Sequence, residues 1–403
     1  MNPFTPRYSQ STARLDAGAD TSAWRVHDRA VESRCAGEDV ILLCIGDPDF
    51  DTPPLIFGEA LGAMRAGRTH YSPPAGEPAL REAIAELESR TSPHPCTPQE
   101  VVVFAGATSA LYAVMAALLD PGDSIVVPEP MYVGYTPIFQ SLGIDVRPVP
   151  LVAAQNFSLD LPAMKVAVRA NTRAMLINTP GNPTGNMIAP AQMAELAAFC
   201  RERGLWLVCD EVYSMITFRE RHTSLRAAAR ETDNVVMVDA LSKSHAMSGW
   251  RIGWTVTPVP LAERLARLNA AMLFGCSQFI QDAAAFALRN DDVYVERMRL
   301  EYLARRDLLV AGLNAVPGLR CAVPDAGMFL MVDVSGTGLD GLGFAEGLFD
   351  AERVSTVPGV GFGPSARDYV RISMAQDRAT LTDAVVRIGR FIAGLGGARG
   401  CAG

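Results

Sequence analysis

Short apolar runs recur through the middle of the chain: VVVF at Val101–Phe104, SIVV at 124–127, AMLI at 174–177, LWLV at 205–208 and VVMV at 235–238. They are nearly continuous in apolar character, the pattern of strands covered on both faces. Segments of helical length, 109–119 and 191–203 among them, lie between the runs. Strand alternating with helix predicts an α/β architecture around a mostly parallel central sheet. After Pro258 the pattern changes. Long helices are expected at about 260–290 and 293–314, isolated strands at 328–334 and 369–374, and a last helix near 378–394. The chain thus divides into a large α/β domain over residues 50–290 and a smaller α+β domain combining residues 1–49 with 291–403. No repeat, low-complexity tract or Ser/Gly linker interrupts it.

In open parallel sheets, ligands bind beyond the carboxyl ends of the strands. The residues just after each run are therefore informative. VVVF leads into GATSA, AMLI into NTPGNPTG, LWLV into CDEVY and VVMV into DALSK. Polar and glycine-rich residues fall where one shared site would be.

Composition narrows the partners. With 49% hydrophobic and 20% charged residues, the 403-residue chain reads as a soluble globular protein. A net charge of −8 argues against nucleic acid or an anionic membrane surface as partner. The longest apolar stretch, 105–119, falls short of the about 20 residues that a membrane span needs. The first residues carry no apolar signal-peptide core. Eight cysteines show no CxxC spacing, and Cys44, Cys200 and Cys209 sit in apolar runs, so free thiols in a cytoplasmic protein are expected. Five scattered histidines without HExxH predict no metal site.

The chemistry starts from a lysine. Of 36 basic residues only Lys165 and Lys243 are lysines. Lys165, in LPAMKVAVRANTR, fits the solvent face of a short helix. Lys243, in LSKSHAMSGWR, sits in a small, polar, turn-like stretch just past a buried run. Arginine does not lose its proton to form an imine, whereas a desolvated lysine near other cations does. Lys243 therefore reads as a Schiff-base lysine, and a Schiff base beside a phosphate site suggests pyridoxal phosphate. That ring needs a carboxylate at its nitrogen, and Asp210 ends an apolar run. Tyr213 and the Asn182 amide are donors for the ring oxygen. Gly106-Ala107-Thr108 opening a helix, with Arg251, suits a phosphate. Tyr132, in EPMYVGY, is a candidate to stack on the ring. Two glycine- or acid-rich decoys fail: DPDFD (47–51) continues with Thr52 and Gly58 where an EF-hand needs Gly and Glu. GVGFGPS (359–365) lacks GxGxxG spacing.

Taken together, DALSKSHAMSGWRIGW, TPGNPTG, CDEVYS, GDPDFDTP and YVRISMA resemble the fold type I, class I aminotransferases over about residues 38–395. The resemblance implies that Lys243 holds pyridoxal phosphate and shuttles the proton, with Asp210 at the pyridine nitrogen and Asn182 and Tyr213 at the ring oxygen. It implies Tyr132 stacking, and Ala107, Thr108, Ser242 and Arg251 at the phosphate. It further implies a homodimer in which Tyr71 reaches the neighbouring subunit's phosphate, and a substrate α-carboxylate clamped by Arg371 near Gly46. One departure is Ala240, where many members carry a hydroxyl; Thr108 and Ser242 are available to compensate. The same constellation also serves C–S lyases and decarboxylases, and an aminotransferase-like effector domain lacks here any preceding helix-turn-helix arm.

The substrates implied are an amino acid and a 2-oxo acid. Dicarboxylate-specific members use an arginine from the segment corresponding to 270–281, which here has no basic residue. EPMYVGY, SKSHAMSGWR and FGPSA are most similar to arginine:pyruvate aminotransferases. A guanidinium donor would need acidic or polar partners, for which Asp16, Asp20, Asp28 and Gln278 are candidates.

Overall fold

All five apolar runs form strands, and two further strands complete the sheet they build. The computed structural model describes residues 6–17, 22–230, 233–290 and 292–400. The strands are β1 (Val101–Phe104), β2 (Ser124–Glu129), β3 (Asp145–Pro150), β4 (Thr172–Asn178), β5 (Trp206–Asp210), β6 (Val235–Ala240) and β7 (Gly253–Val256). Their spatial order is β1-β7-β6-β5-β4-β2-β3. The pairs β2–β3, β2–β4, β4–β5 and β5–β6 are parallel. Only β7 runs antiparallel to both its neighbours. The central sheet is thus mostly parallel, as expected.

Alternate residues of each strand enter different cores, the period-two geometry of a strand. Ala174 and Leu176 of β4 pack with the Ala107–Leu118 helix. Met175 and Ile177 pack with Met193 and Leu196 of the Pro190–Arg203 helix. Burial on both faces explains why the runs read as continuously apolar. β3 escaped that pattern because it is an edge strand, largely uncovered and bearing Pro148 and Pro150.

The helix expected over 260–290 is two helices, Val259–Met272 and Gln278–Asn290. Phe274 adopts φ 69° at the break. The Asn269 amide donates to Pro74 O (2.7 Å) and Val103 O (3.0 Å), and Ser72 Oγ donates to Cys276 O (2.8 Å). The interruption is therefore fixed by the 72–74 loop crossing over it, a tertiary cause that helical periodicity does not record.

The C-terminal third forms an antiparallel sheet of β8 (Arg320–Cys321), β9 (Phe329–Asp333), β10 (Val357–Pro358) and β11 (Tyr369–Ser373), in the order β10-β11-β9-β8. Its core joins Leu330 and Ile372 to Met298, Phe344 and Leu381 from helices and to Val26 and Ala30 of the N-terminal Ser22–Cys35 helix. Ile41–Leu42 pairs with Val354–Ser355, which ties the N-terminal arm to this region. Among the described residues, no helix is long and apolar enough to cross a membrane, and no group of three or more His, Cys, Asp or Glu is arranged to hold a metal. In the acidic decoy, Asp49 pairs with Arg305 (2.7 Å). Lys165 lies on a short helix and pairs with Glu195 (2.5 Å).

Candidate active site

The carboxyl ends of β1, β4, β5 and β6 converge with β11 and the N-terminal arm on one cavity of about 680 Å³. Eleven of the twelve candidate residues line it: Gly46, Ala107, Thr108, Tyr132, Asn182, Asp210, Tyr213, Ser242, Lys243, Arg251 and Arg371. The twelfth, Tyr71, does not; it is 83% exposed and touches Phe274, with ring centroids 4.9 Å apart.

Lys243 lies on the single turn Leu241–Ser244 directly after β6. Its Nζ donates to Gly46 O at 2.5 Å. Burial, opposed by the nearby Asp47 carboxylate and assisted by Arg371 and Arg251, holds the amine down to about 8. A substantial share of the amine is then neutral near physiological pH, as a nucleophile and proton carrier requires. Gly46 has no room for a side chain: a Cβ there would overlap the Phe329 ring.

Asp210 is the last residue of β5, and burial pushes its carboxyl up to about 6. The Tyr135 hydroxyl donates to its Oδ2 (2.7 Å) and the Val212 amide to its Oδ1 (3.3 Å). An isolated buried carboxylate is costly, so the strand end is suited to a cationic partner arriving in the cavity. Asn182 uses both ends of its amide: Nδ2 donates to the Tyr213 hydroxyl (3.4 Å), and Oδ1 accepts from Arg371 Nη1 (3.0 Å). Arg371, on β11, also donates from Nη2 to Cys44 O (2.8 Å), and its guanidinium lies 4.0 Å from the Phe329 ring centroid and 4.9 Å from that of Phe362. Its Nε is buried without a partner. Burial lowers this guanidinium to about 10, still a cation at neutral pH.

At the other end, the Ala107–Leu118 helix begins at Gly106 (φ 85°), which offers no side-chain oxygen to cap the first turn. A Cβ on Gly106 would run into the Arg251 guanidinium. Free first-turn N–H groups beside Arg251, Thr108, Ser242 and Ser248 make an anion cradle. Ala240 is buried outside the cavity, and its N–H donates to Asp239 Oδ1 (2.6 Å). The residues present thus fit pyridoxal phosphate: a cradle at one end, a buried carboxylate at the strand end, the Tyr132 ring between, and a lysine amine.

Several lining residues were not among the sequence candidates. Tyr135, which begins the Tyr135–Leu142 helix, was also not among them; it lies behind the cavity and acts on it through Asp210. Asn178 ends β4, where polar residues were expected, and Ser248 lies within the lysine motif. Trp24, His27 and Cys44 come from the distant N-terminal arm and gave no signal. Of the proposed guanidinium partners, Asp16, Asp28 and Gln278 do not line the cavity: the two aspartates are exposed and Gln278 donates to Glu77; Asp20 lies outside the described residues.

Comparison with known proteins agrees with this geometry. The family model for aminotransferase class I and II matches residues 38–388. The chain is 43% identical over 382 residues to an arginine–pyruvate transaminase of Pseudomonas aeruginosa, spanning 95% of this chain and 97% of that one. It is 34% identical to an aspartate/prephenate aminotransferase of Thermus thermophilus over 94% of this chain and 98% of that one. Among solved structures, Thermus thermophilus aspartate aminotransferase with maleate superimposes with a TM-score of 0.90 at 33% identity, covering 96% of this chain and 100% of the other. An aromatic aminotransferase of Pyrococcus horikoshii does so with 0.85 at 34% identity, covering 90% and 98%. The chain belongs to the class I and II aminotransferases, pyridoxal-phosphate enzymes of fold type I.

Proposed function

We propose that this aminotransferase takes its amino group from a basic amino acid, arginine first, and passes it to pyruvate. Support comes from the arginine–pyruvate transaminase at 43% identity. The absence of any basic residue in 270–281, where a distal carboxylate would look for a partner, also favours it over aspartate or glutamate.

The observation that carries the assignment of roles is the contact chain Cys44–Arg371–Asn182–Tyr213 beside Lys243. It groups a buried guanidinium, an amide–hydroxyl pair and an amine around one volume, which supports reading them as the carboxylate clamp, the ring-oxygen donors and the base. In this reading Ala107, Thr108, Ser242 and Arg251 hold the cofactor phosphate, Tyr132 stacks on its ring, and Asn182 and Tyr213 meet its ring oxygen. Asp210 faces the ring nitrogen and keeps it protonated, with Tyr135 fixing the carboxylate. When bound, pyridoxal phosphate supplies the electron sink for breaking the bond from the substrate's α-carbon to hydrogen. Arg371 binds the α-carboxylate and orients the α-carbon toward Lys243. Within the same half-reaction the Lys243 amine would take that proton and hand it on to the bound cofactor, with Gly46 O, which accepts from Nζ, holding the amine in place. Two half-reactions then exchange one amino acid and one 2-oxo acid.

The active unit is proposed to be a cytoplasmic homodimer, with Tyr71 supplied across the interface. Residues 50–290 are read as the cofactor-binding domain, and 1–49 with 291–403 as the smaller one. The test is stoichiometry: purified enzyme with arginine and pyruvate should yield one alanine per 2-oxo acid formed and no ammonia. Ammonia release would assign a lyase instead, and carbon dioxide a decarboxylase.

A further inference from the structure

We infer that Glu211 and His222 are positioning residues: their buried pair closes the base of the 211–225 loop and so holds Tyr213 at the cofactor's ring oxygen. The inference rests on the ring-oxygen role proposed for Tyr213. Glu211 directly follows Asp210 at the end of β5 but does not line the cavity. The loop that starts there carries Tyr213 and then crosses to the segment before β9. Ile216 O accepts from the Gly327 N–H (2.8 Å), and the Phe218 N–H donates to Asp325 O (2.8 Å). Arg299 Nη1 donates to Thr217 O (2.9 Å). The chain then turns through exposed residues 219–221 and comes back to its own start.

Three donors of the returning limb converge on the Glu211 carboxylate. His222 Nε2 lies 3.0 Å from Oε2, and Oε1 accepts from Ser224 Oγ (3.2 Å) and the Leu225 N–H (2.8 Å). The Glu211 side chain is 2% exposed and that of His222 4%. A buried pair of this kind needs a reason, since taking two such groups out of water is costly.

The neighbours show what the pair controls. Glu88, from the Pro78–Thr91 helix, and Asp239, from β6, lie in the same buried region. Burial first, then the nearby Glu211, push the Glu88 carboxyl up to about 8, and burial holds Asp239 well above the usual carboxylate range. Glu88 Oε2 is buried without a partner, and Arg226 is the cation near it. Without His222, Glu211 would sit beside two further carboxyls with only two neutral donors, a state that movement of the loop relieves. Ser214 is tied to the same region, its Oγ donating to Asp239 Oδ2 (3.0 Å). Tyr213 lies between these anchored residues, and its hydroxyl meets Asn182 Nδ2 only at 3.4 Å. The backbone anchors therefore place that hydroxyl more than its own hydrogen bond does.

The visible absorbance of bound pyridoxal phosphate changes with ionisation at its ring-oxygen end. A hydroxyl donating to that oxygen favours the ionised form and lowers the pH midpoint of the change. The midpoint in the holoenzyme thus reads the placement of Tyr213 without turnover. The comparison is wild type, Tyr213→Phe, His222→Ala, His222→Gln and the double variant Tyr213→Phe/His222→Ala. Tyr213→Phe should raise the midpoint by at least about one pH unit, and His222→Ala by about half to one unit. His222→Gln keeps an N–H donor for Glu211 Oε2 and should recover most of the wild-type value. In the double variant the loss of His222 should add nothing to the Tyr213→Phe shift, because both act through one hydroxyl. An unmoved midpoint in His222→Ala overturns the inference. So does a full additional shift in the double variant, which would mean that the pair acts on the cofactor through its charge. If His222→Ala does not fold, Ser224→Ala carries the test: a smaller rise is expected, and an unmoved midpoint overturns the inference. Should Tyr213→Phe itself leave the midpoint in place, the ring-oxygen reading fails and takes the inference with it, an outcome distinct from the others.

Discussion

Burial holds the Lys243 amine at about 8 against an ordinary 10.5, so without cofactor the folded chain binds fewer protons than the unfolded one between those values. Stability of the cofactor-free protein should then rise with pH across that window, and below it the buried ammonium costs roughly 3 kcal/mol. Lys243→Met removes the charge and keeps the length. The variant is expected to be more stable than the wild type by up to about 3 kcal/mol at about pH 7, with the gap closing above about pH 10. Urea unfolding of both cofactor-free proteins at the two pH values measures it, and a gap that does not close with pH would contradict a burial origin for the shift. The same lysine was legible in the sequence because the chain avoids lysine elsewhere. Asp210, Asn182, Tyr213 and Arg371 were legible as a family pattern. Tyr135 was not, because the donor to a buried carboxylate is chosen by how a helix packs across the sheet, and 75 residues separate the pair.

At the scale of elements, burial on both faces made the inner parallel strands readable, and its absence hid the edge strand β3. The antiparallel β7, GWTV, is fully buried but too short to stand out beside the motif that precedes it. The broken helix is the informative case. Both halves carry a helical pattern, and the break at Phe274–Gly275 is imposed by the loop that lies against it. A Cβ on Gly275 would come within 2.6 Å of Ser72 Oγ and 2.7 Å of Ser72 O. The oxygen is backbone, so relief requires the loop to move. Gly275→Ala is expected to lower stability by about 1–3 kcal/mol, as overpacking does. Because the loop begins next to Tyr71, it should also lower activity more than the stability loss explains. Thermal unfolding together with kcat/KM under fully folded conditions checks both parts. A variant with wild-type stability would show that the loop yields freely.

The largest scale is where a single chain looks incomplete. Tyr71 is 83% exposed, its ring rests on the half-exposed Phe274, and Leu55 and Phe57 are exposed on the nearby Pro54–Arg65 helix. An apolar surface of this kind marks an interaction site. A two-fold contact, the commonest symmetry of oligomers, would cover the same patch on both copies. On the function proposed above, it would also carry each Tyr71 to the phosphate cradle of the other subunit. Complementation then gives a number. In a one-to-one mixture of Tyr71→Ala and Lys243→Ala subunits, random exchange makes half of the dimers mixed, and each mixed dimer has one site with both groups intact. About a quarter of all sites should work, so about a quarter of wild-type activity should return after subunit exchange. If Tyr71 served its own subunit, each mixed dimer would keep two defective sites and the mixture would be no more active than its parents. Light scattering at assay concentration supplies the control, since a fully active monomer would rule out a shared site directly.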